Sequence, residues 1–264
     1  MTGTAHAYGP GPDQFLEVTL PDGGAPAPVV VVVHGGFWRA RYGIELARPL
    51  AADLAAAGWA AVAVEYRRVG AGGGWPATLE DVAAALDALP DLPEAAAFDL
   101  TDVTVVGHSA GGHLAAWAAG RSQLPAGVPG AGPRVPVTAA VAQAGVLDLD
   151  AAVAADLGDG ATVAFLGGTP AEVPDRYAAA DPVRLLPTGV PVLLVHGEDD
   201  ETVPLEQSRR YATAASAAGD PVEVVVVPGD HMAVIDVTGV AWRRVLEWLS
   251  TRRTAAVHRT TLEP

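Results

Sequence analysis

Short runs of β-branched residues alternate along this chain with Ala- and Leu-rich segments whose apolar positions recur at a helical period. This alternation predicts strand–helix units that pack into a mostly parallel sheet flanked by helices, the α/β class of fold. The pattern shows no internal repeat and no linker, so a single domain over residues 1–264 is favoured over two domains.

The strand predictions rest on short apolar or alternating runs that end at turn residues. The first, FLEVTL at 15–20, is expected to be an exposed strand that ends at the turn of residues 21–24. The five valines at 29–33 form an apolar run that is typical of a buried strand. Further strands are predicted at 60–65, 103–106, 137–144, 190–195 and 222–227.

The helix predictions rest on apolar residues repeated at three- and four-residue spacing. Helices are expected at 44–57, 78–89, 109–120, 204–218 and 240–252. Gly58 and Gly120 end two of them, and Thr78 is expected to be the N-cap of another. Residues 148–187 contain short helical pieces broken by glycine and proline, which predicts a small cap over the sheet edge. Residues 253–264 are expected to form a flexible tail.

The composition excludes several kinds of chemistry. The chain has no cysteine, which removes thiol nucleophiles, thiolate metal sites and disulfides. It has no lysine, which removes Schiff-base chemistry and the P-loop. Its net charge of −15 would repel a phosphate backbone, so nucleic acid is not expected as a partner.

The same sequence argues against a membrane protein. No apolar run approaches the roughly 20 residues that span a bilayer. The N-terminus has neither a basic start nor the apolar segment of a signal peptide. A soluble, cytoplasmic protein without a membrane partner is therefore expected.

One pentapeptide places a serine where a nucleophile is expected. Residues 107–111 read Gly-His-Ser-Ala-Gly, directly after the strand VTVV and at the start of a helix. This is the context that the G-x-S-x-G pattern requires, because its glycines permit the sharp turn that exposes the serine oxygen. Ser109 is the predicted nucleophile, and the N–H of Ala110 is predicted to face a developing oxyanion.

A serine hydroxyl needs a base near neutral pH, and seven histidines are available. His231 lies just past the last strand, at the edge where parallel sheets bind their ligands, and is the predicted base. His196 also ends a strand but is predicted to be structural. His113, one helical turn after Ser109, is predicted to pack or support, and His108 is expected to point away from the serine oxygen.

The base in turn needs a carboxylate that fixes its tautomer. Residues 198–201 read Glu-Asp-Asp-Glu just after a predicted strand, and the chain order Ser, Asp, His fits a nucleophile on this kind of turn. Four consecutive acids leave both Asp199 and Asp200 as candidates. Asp148, after the strand at 137–144, is an outside candidate.

Together these segments resemble the motifs of the α/β-hydrolases over roughly residues 15–252. The matching segments are HGGFW at 34–38, GHSAGG at 107–112, HGEDDETVP at 196–204 and GDH at 229–231. Relatives often read H-G-x-x-D-x-x-V-P at the acid loop, and that register falls on Asp200 rather than Asp199. The resemblance implies an α/β-hydrolase fold with Ser109, Asp200 and His231 as a catalytic triad.

The segment HGGFW resembles the H-G-G-x-W of arylformamidases and the H-G-G-G of hormone-sensitive-lipase-type esterases. In such relatives this loop supplies backbone N–H groups to the oxyanion hole. The resemblance therefore implies Gly35, Gly36 or Phe37 as donors, together with Ala110. Phe37 stands in place of the third glycine of H-G-G-G, which favours the H-G-G-x-W group. His34 is then expected to be structural, holding the loop through its ring nitrogens.

Aromatic residues in loops after strand ends are the main indication of the substrate. Phe37, Trp38 and Trp75 are predicted to bind substrate, which favours a small aromatic or acyl group. The alternative is that Trp38 and Trp75 simply pack the loops. Arg67 and Arg68 could meet a substrate carboxylate, although structural pairing is favoured.

These residues imply acyl transfer to water through an acyl-enzyme. A carboxylesterase acting on small esters is the leading interpretation. An arylformamidase-type amidase acting on N-formyl-kynurenine or a similar compound is the alternative. A non-catalytic ligand-binding protein on the same fold is the third, and the complete Ser, Asp and His set argues against it. No cofactor and no metal is expected, since the acids at 198–201 lack the spacing of a calcium loop.

Overall fold

The computed structural model describes residues 3–260, with side chains described as far as residue 253. These residues form one eight-stranded sheet with the strand order β1-β2-β4-β3-β5-β6-β7-β8. The strands are β1 Thr4–Ala7, β2 Phe15–Thr19, β3 Ala27–Val33, β4 Ala60–Val64, β5 Phe98–His108, β6 Ala139–Gln143, β7 Val192–Gly197 and β8 Val222–Val227.

The centre of the sheet is parallel, as the sequence pattern predicts. β3 pairs in parallel with both β4 and β5, and the parallel pairing continues through β6 and β7 to β8. Helices cover both faces of such a sheet, which is why β3 can be a nearly continuous run of buried valines. All parallel strands end at one edge, so the loops that follow them meet there.

The N-terminal edge of the sheet differs from the prediction. β1 precedes the segment that was expected to be the first strand, and it pairs antiparallel with β2. β2 in turn pairs antiparallel with β4. Because β1 covers its outer side, β2 is not an exposed strand, and its Leu16 and Val18 are buried.

Eight α-helices flank the sheet within the described residues, joined by short 3-10 turns. They are α1 Arg48–Ala56, α2 Ala77–Asp87, α3 Ala110–Ala119, α4 Leu149–Ala154, α5 Ala161–Leu166, α6 Pro174–Ala180, α7 Glu206–Ala218 and α8 Val240–Thr260. Helices α1 and α8 pack on one face, where Leu54 and Trp242 are fully buried. Helices α2, α3 and α7 pack on the other face.

Two helix ends differ from the prediction. Pro76, not Thr78, is the N-cap of α2. The Thr78 hydroxyl lies inside the first turn, where it accepts from the Gly74 N–H and donates to the Arg67 carbonyl. At the other end of the chain, α8 continues to Thr260 instead of ending at 252, because the sequence has no glycine or proline there to stop it. Residues 261–264 of the expected tail lie outside the described residues.

The segment between β6 and β7 contains the short helices α4, α5 and α6, where the sequence predicts a cap broken by glycine and proline. Phe165 and Tyr177 from this segment are fully buried in the same core cluster as α2 and α3. The segment therefore packs onto the body of the domain. In the part of the chain that the structure describes, no helix is both long and apolar enough to cross a bilayer.

Candidate active site

Ser109 occupies a strained turn between β5 and α3. Its backbone has φ 57° and ψ −119°, values that a serine rarely adopts. A Cβ on Gly107 would lie 2.0 Å from the Gly111 carbonyl oxygen, and one on Gly111 would lie 2.1 Å from the Val33 carbonyl oxygen. Positions 107 and 111, each two residues from Ser109, must therefore be glycine. The Ser109 N–H donates to the Gln143 carbonyl at 2.8 Å, which fixes the turn against β6.

His231 follows β8, and its ring contacts one acidic side chain. Nδ1 of His231 lies 2.7 Å from Oδ2 of Asp200, whose side chain is fully buried. The other oxygen of Asp200 accepts from the N–H groups of Thr202 and Val203, each at 2.8 Å. The carboxylate is thus held on both oxygens and points at the imidazole.

The other acidic candidates lie elsewhere. Asp199 is exposed, and its backbone N–H bonds the Gly229 carbonyl. Asp148 caps α4 by accepting from the Ala151 N–H, and its second oxygen lies 3.4 Å from Arg210. Of the three candidate carboxylates, only Asp200 contacts His231 in the structure.

The environment of Asp200 keeps it ionised. Burial alone would raise the pKa of the Asp200 carboxyl, but hydrogen bonds from His196, His231 and the Val203 N–H hold that pKa far below its usual range. An anionic partner stabilises the charge that the His231 ring acquires when it takes up a proton.

His196 supports this carboxylate from behind, as a structural histidine would. It is fully buried, with Nδ1 at 2.8 Å from the Ser208 hydroxyl and Nε2 at 2.8 Å from the Val203 carbonyl. Its Nε2 also lies 3.4 Å from Oδ2 of Asp200. The sequence identifies His196 as structural but gives no sign of its contact with Asp200.

The loop after β3 approaches the Ser109 turn closely. A Cβ on Gly35 would lie 2.7 Å from the His108 carbonyl oxygen and 3.0 Å from the Ser109 Cβ, so only glycine fits there. Gly36, Phe37 and Trp38 all have positive φ, at 115°, 50° and 55°. The backbone of this tight turn therefore approaches the Ser109 turn at Gly35. Ala110 begins α3, where an N–H has no partner within the helix.

His34 is buried and holds this loop. Its Nδ1 lies 2.8 Å from the Gly35 carbonyl and its Nε2 lies 2.9 Å from Oε1 of Glu65. Its ring stacks on Tyr66, and the Tyr66 hydroxyl donates to the His34 carbonyl. The structural role that the sequence suggests for His34 agrees with these contacts.

Glu65 is a functional candidate that the sequence does not reveal. Its second oxygen accepts from the Ile44 N–H at 2.9 Å, so the one carboxylate holds both ends of the loop from His34 to Ile44. Burial alone would raise the pKa of the Glu65 carboxyl, but hydrogen bonds from His34, Ile44 and Tyr66 keep it below its usual value. The only signal in the sequence is an acid at the end of a buried strand.

The tryptophans predicted to bind substrate do not reach the site. Trp38 is 1% exposed: its indole N–H donates to Nδ1 of His113 at 3.2 Å, and its ring stacks on Phe165 at 4.6 Å. Trp75 is half-buried and packs against the core. Neither residue lines the cavity that holds Ser109 and His231, and packing against His113 and Phe165 occupies the Trp38 ring. The loop-packing alternative describes these contacts. Contact of these residues with a substrate stays a prediction.

His113, Arg67 and Arg68 are also structural. Burial lowers the pKa of His113 to about 4, and its Nε2 donates to the Ala180 carbonyl. Arg67 pairs with Asp81 at 2.7 Å. Arg68 pairs with Glu65 at 2.9 Å, so both arginines have the structural pairing that the sequence favours.

Ser109 and His231 share a cavity of about 230 Å³. Its walls are mostly apolar, and the lining residues are Gly36, Phe37, Tyr42, Leu46, His108, Ser109, Thr202, His231 and Met232. Phe37 lines it as predicted, whereas Tyr42, Leu46, Thr202 and Met232 have no sequence motif to mark them. Among the side chains that the structure describes, no cluster of three or more His, Asp or Glu residues could hold a metal ion.

Sequence comparison gives matches over most of the chain. The family model BD-FAE matches residues 16–214. Esterase LipQ of Mycobacterium tuberculosis is 32% identical over 255 residues, which cover 92% of this chain and 60% of LipQ. Esterase LipC of the same organism is 31% identical over 219 residues, covering 77% of this chain and 52% of LipC. The chain therefore spans little more than half the length of these curated relatives.

Solved structures share the whole fold. A truncated carbohydrate esterase from gut microbiota superposes with a TM-score of 0.81 at 22% identity, covering 96% of each chain. Esterase B from Lactobacillus rhamnosis superposes with a TM-score of 0.77 at 24% identity, covering 98% of this chain and 90% of that one. Est2 of Thermogutta terrifontis gives 0.75 at 22% identity, covering 96% and 94%. The fold is that of the α/β-hydrolases.

Proposed function

The chain belongs to the BD-FAE family, and we propose that it is a serine hydrolase that cleaves small carboxylic esters through Ser109, His231 and Asp200. The observation that carries this proposal is the 2.7 Å contact between His231 and the buried Asp200, with Ser109 lining the same cavity as His231. Two relatives above 30% identity, LipQ and LipC, are also esterases.

The reaction proceeds by two acyl transfers. The Ser109 hydroxyl attacks the ester carbonyl while His231 takes its proton, and Asp200 stabilises the imidazolium. The tetrahedral oxyanion accepts hydrogen bonds from the N–H of Ala110 and from N–H groups of residues 35–37. His231 then protonates the leaving alkoxide, and a water molecule repeats the attack on the acyl-enzyme to release the acid.

The cavity supports a small acyl group as the substrate. Its volume of about 230 Å³ lies below the roughly 300–1,000 Å³ of pockets that enclose drug-sized ligands. Phe37 and Leu46 give it apolar walls, and the partly exposed Tyr42 and Met232 stand at its rim. A short acyl chain fits such a space better than a long one.

A formamidase activity is the second candidate, from the H-G-G-x-W motif. One observation weighs against it: Trp38, the tryptophan of that motif, packs on Phe165 instead of facing the cavity. The aromatic wall that would select an aryl formamide thus rests on Phe37 and Tyr42 alone. Ester hydrolysis is the better supported of the two activities.

A panel of substrates tests the proposal. We expect turnover of p-nitrophenyl acetate and butyrate, weaker turnover of the octanoate, and little or none of N-formyl-kynurenine. Ser109→Ala is expected to lower kcat by a factor on the order of 10⁶, leaving only the residual rate of an enzyme without its triad nucleophile. The matched control is Ser122→Ala, which removes an exposed serine and leaves all rates unchanged.

Two results would reject parts of this proposal. Turnover of N-formyl-kynurenine above that of every ester would make the formamidase the correct assignment. A fluorophosphonate probe that leaves no adduct on the wild-type protein would favour the third alternative, a ligand-binding protein on the same fold. The single-domain organisation with a small cap and the cytoplasmic location expected from the sequence stay predictions.

A further inference from the structure

His108 precedes the nucleophile, yet its side chain contacts the loop of the base. Its ring is 6% exposed, and Nε2 lies 2.9 Å from the main-chain carbonyl oxygen of His231. A carbonyl can only accept a hydrogen bond, so Nε2 of His108 carries a proton and donates it. The two histidine rings also lie against each other, with centroids 4.5 Å apart.

Other hydrogen bonds anchor the same loop on both sides of His231. The Asp199 N–H donates to the Gly229 carbonyl at 3.0 Å, and the Gln143 side-chain amide donates to the Val234 carbonyl. The His108 bond falls between these anchors, at the base itself. Removing it therefore leaves the loop attached and takes away the hydrogen bond at the His231 carbonyl itself.

We infer that His108 is a positioning residue, which sets the place of His231 relative to Ser109 by holding the His231 main-chain carbonyl. This inference rests on the proposed function. Asp200 fixes the imidazole at Nδ1, whereas His108 bonds the backbone that carries it. His108 is joined to Ser109 by a peptide bond, so one side chain links nucleophile and base directly.

The charge state of His108 suits this role. Burial, reinforced by the nearby His231, lowers the pKa of His108 to about 3. The ring is therefore neutral at the pH values where His231 acts as a base. A ring with so low a pKa is too weak a base to compete for the Ser109 proton, and because it is neutral it does not repel the imidazolium that forms at His231.

Two substitutions separate the hydrogen bond from the ring contact. His108→Gln keeps an N–H donor without the ring, and His108→Phe keeps a ring without the donor. We expect Gln to retain kcat for p-nitrophenyl butyrate to within about threefold, and Phe to lose at least about tenfold with KM nearly unchanged, since small misplacements of reacting groups can cost about 10²-fold. The control His6→Phe, made in β1 at the far edge of the sheet, is expected to behave as wild type.

Other patterns would overturn the inference. Equal losses of kcat in His108→Gln and His108→Phe would indicate a merely structural residue. A loss of kcat in His108→Gln alone would assign the effect to packing of the ring. An unchanged Phe variant would also reject it. Melting curves check folding; if Phe fails to fold, His108→Leu replaces it and the same comparison with Gln applies. Absence of any ester turnover in wild type would instead contradict the proposed function.

Discussion

Glu65 and His34 lie 31 positions apart in the chain and are joined by a 2.9 Å contact between a carboxylate oxygen and Nε2 of the imidazole. The same carboxylate binds the Ile44 N–H and pairs with Arg68. The loop from His34 to Ile44, which approaches Ser109, is thus held at both ends by Glu65, the first residue after β4. Its geometry depends on one buried charge.

Replacing Glu65 by glutamine is expected to lower both stability and turnover. Removing one partner of a buried ion pair costs about 3–5 kcal/mol, because the remaining partner stays buried without its counter-charge. A displaced loop weakens oxyanion stabilisation, so kcat should fall by about tenfold, less than the 10²–10³ of losing a whole donor. Melting curves and kcat measure the two effects. Glu17→Gln, which frees the exposed Arg48, is the control and should change neither.

Asp200→Asn is expected to lower kcat by about 10⁴ with little change in KM, as the same change does in serine proteases. The amide cannot stabilise the His231 imidazolium and favours the wrong tautomer. Asp199→Asn, one residue earlier and exposed, serves as the control and should stay within about twofold of wild type. A large loss of kcat in Asp199→Asn, together with an active Asp200→Asn, would show that Asp199 is the acid that assists His231.

Asp181 is expected to make stability fall between about pH 4 and pH 7. Burial, with Asp148 and Asp150 nearby, raises the pKa of Asp181 to about 7. In this window the unfolded chain has released the proton that the folded protein keeps, so the contribution favourable to folding is complete below about pH 4 and is lost by about pH 7. Asp181→Asn stays neutral at every pH.

The variant Asp181→Asn should therefore match wild type at pH 4 and melt several degrees higher at pH 8. Thermal melts across this range measure the effect, with Asp175→Asn, an exposed acid in α6, as the control. A melting difference that is the same at pH 4 and pH 8 would show that Asp181 does not titrate in this range.

Phe37→Ala is expected to shift the acyl preference toward longer chains. Phe37 lines the cavity, and its removal enlarges a space of about 230 Å³. The ratio of kcat/KM for p-nitrophenyl octanoate to that for the acetate should rise by about tenfold, since one methylene in an apolar pocket is worth roughly 1–3 kcal/mol. Phe15→Ala, outside the cavity in β2, should leave the ratio unchanged.

The sequence predicts those features that depend on local order along the chain. The sheet follows from valine-rich runs such as β3, and the Ser109 turn follows from two glycines that a strand-to-helix turn requires. The resemblance to the α/β-hydrolases selects Asp200 through the register of the acid loop, and Asp200 is the carboxylate that contacts His231. Each of these depends on residues within a few positions of one another.

Contacts between distant segments could not be predicted in this way. Trp38 meets His113 across 75 positions, and His108 meets His231 across 123. Whether an aromatic residue faces a cavity or the core depends on such partners, which is why the sequence left both substrate contact and loop packing open for Trp38. The contacts of Glu65 with His34, Ile44 and Arg68 were missed for the same reason.

The stack of Trp38 on Phe165 has a consequence for how relatives of this protein diverge. Phe165 belongs to α5, in the segment between β6 and β7, while Trp38 follows directly after Phe37. That segment therefore cannot be exchanged independently: grafting one of different length would remove the ring on which Trp38, in the loop from His34 to Ile44, stacks. Recruitment of a new substrate through this segment requires matching substitutions at position 38, so the two regions are expected to covary.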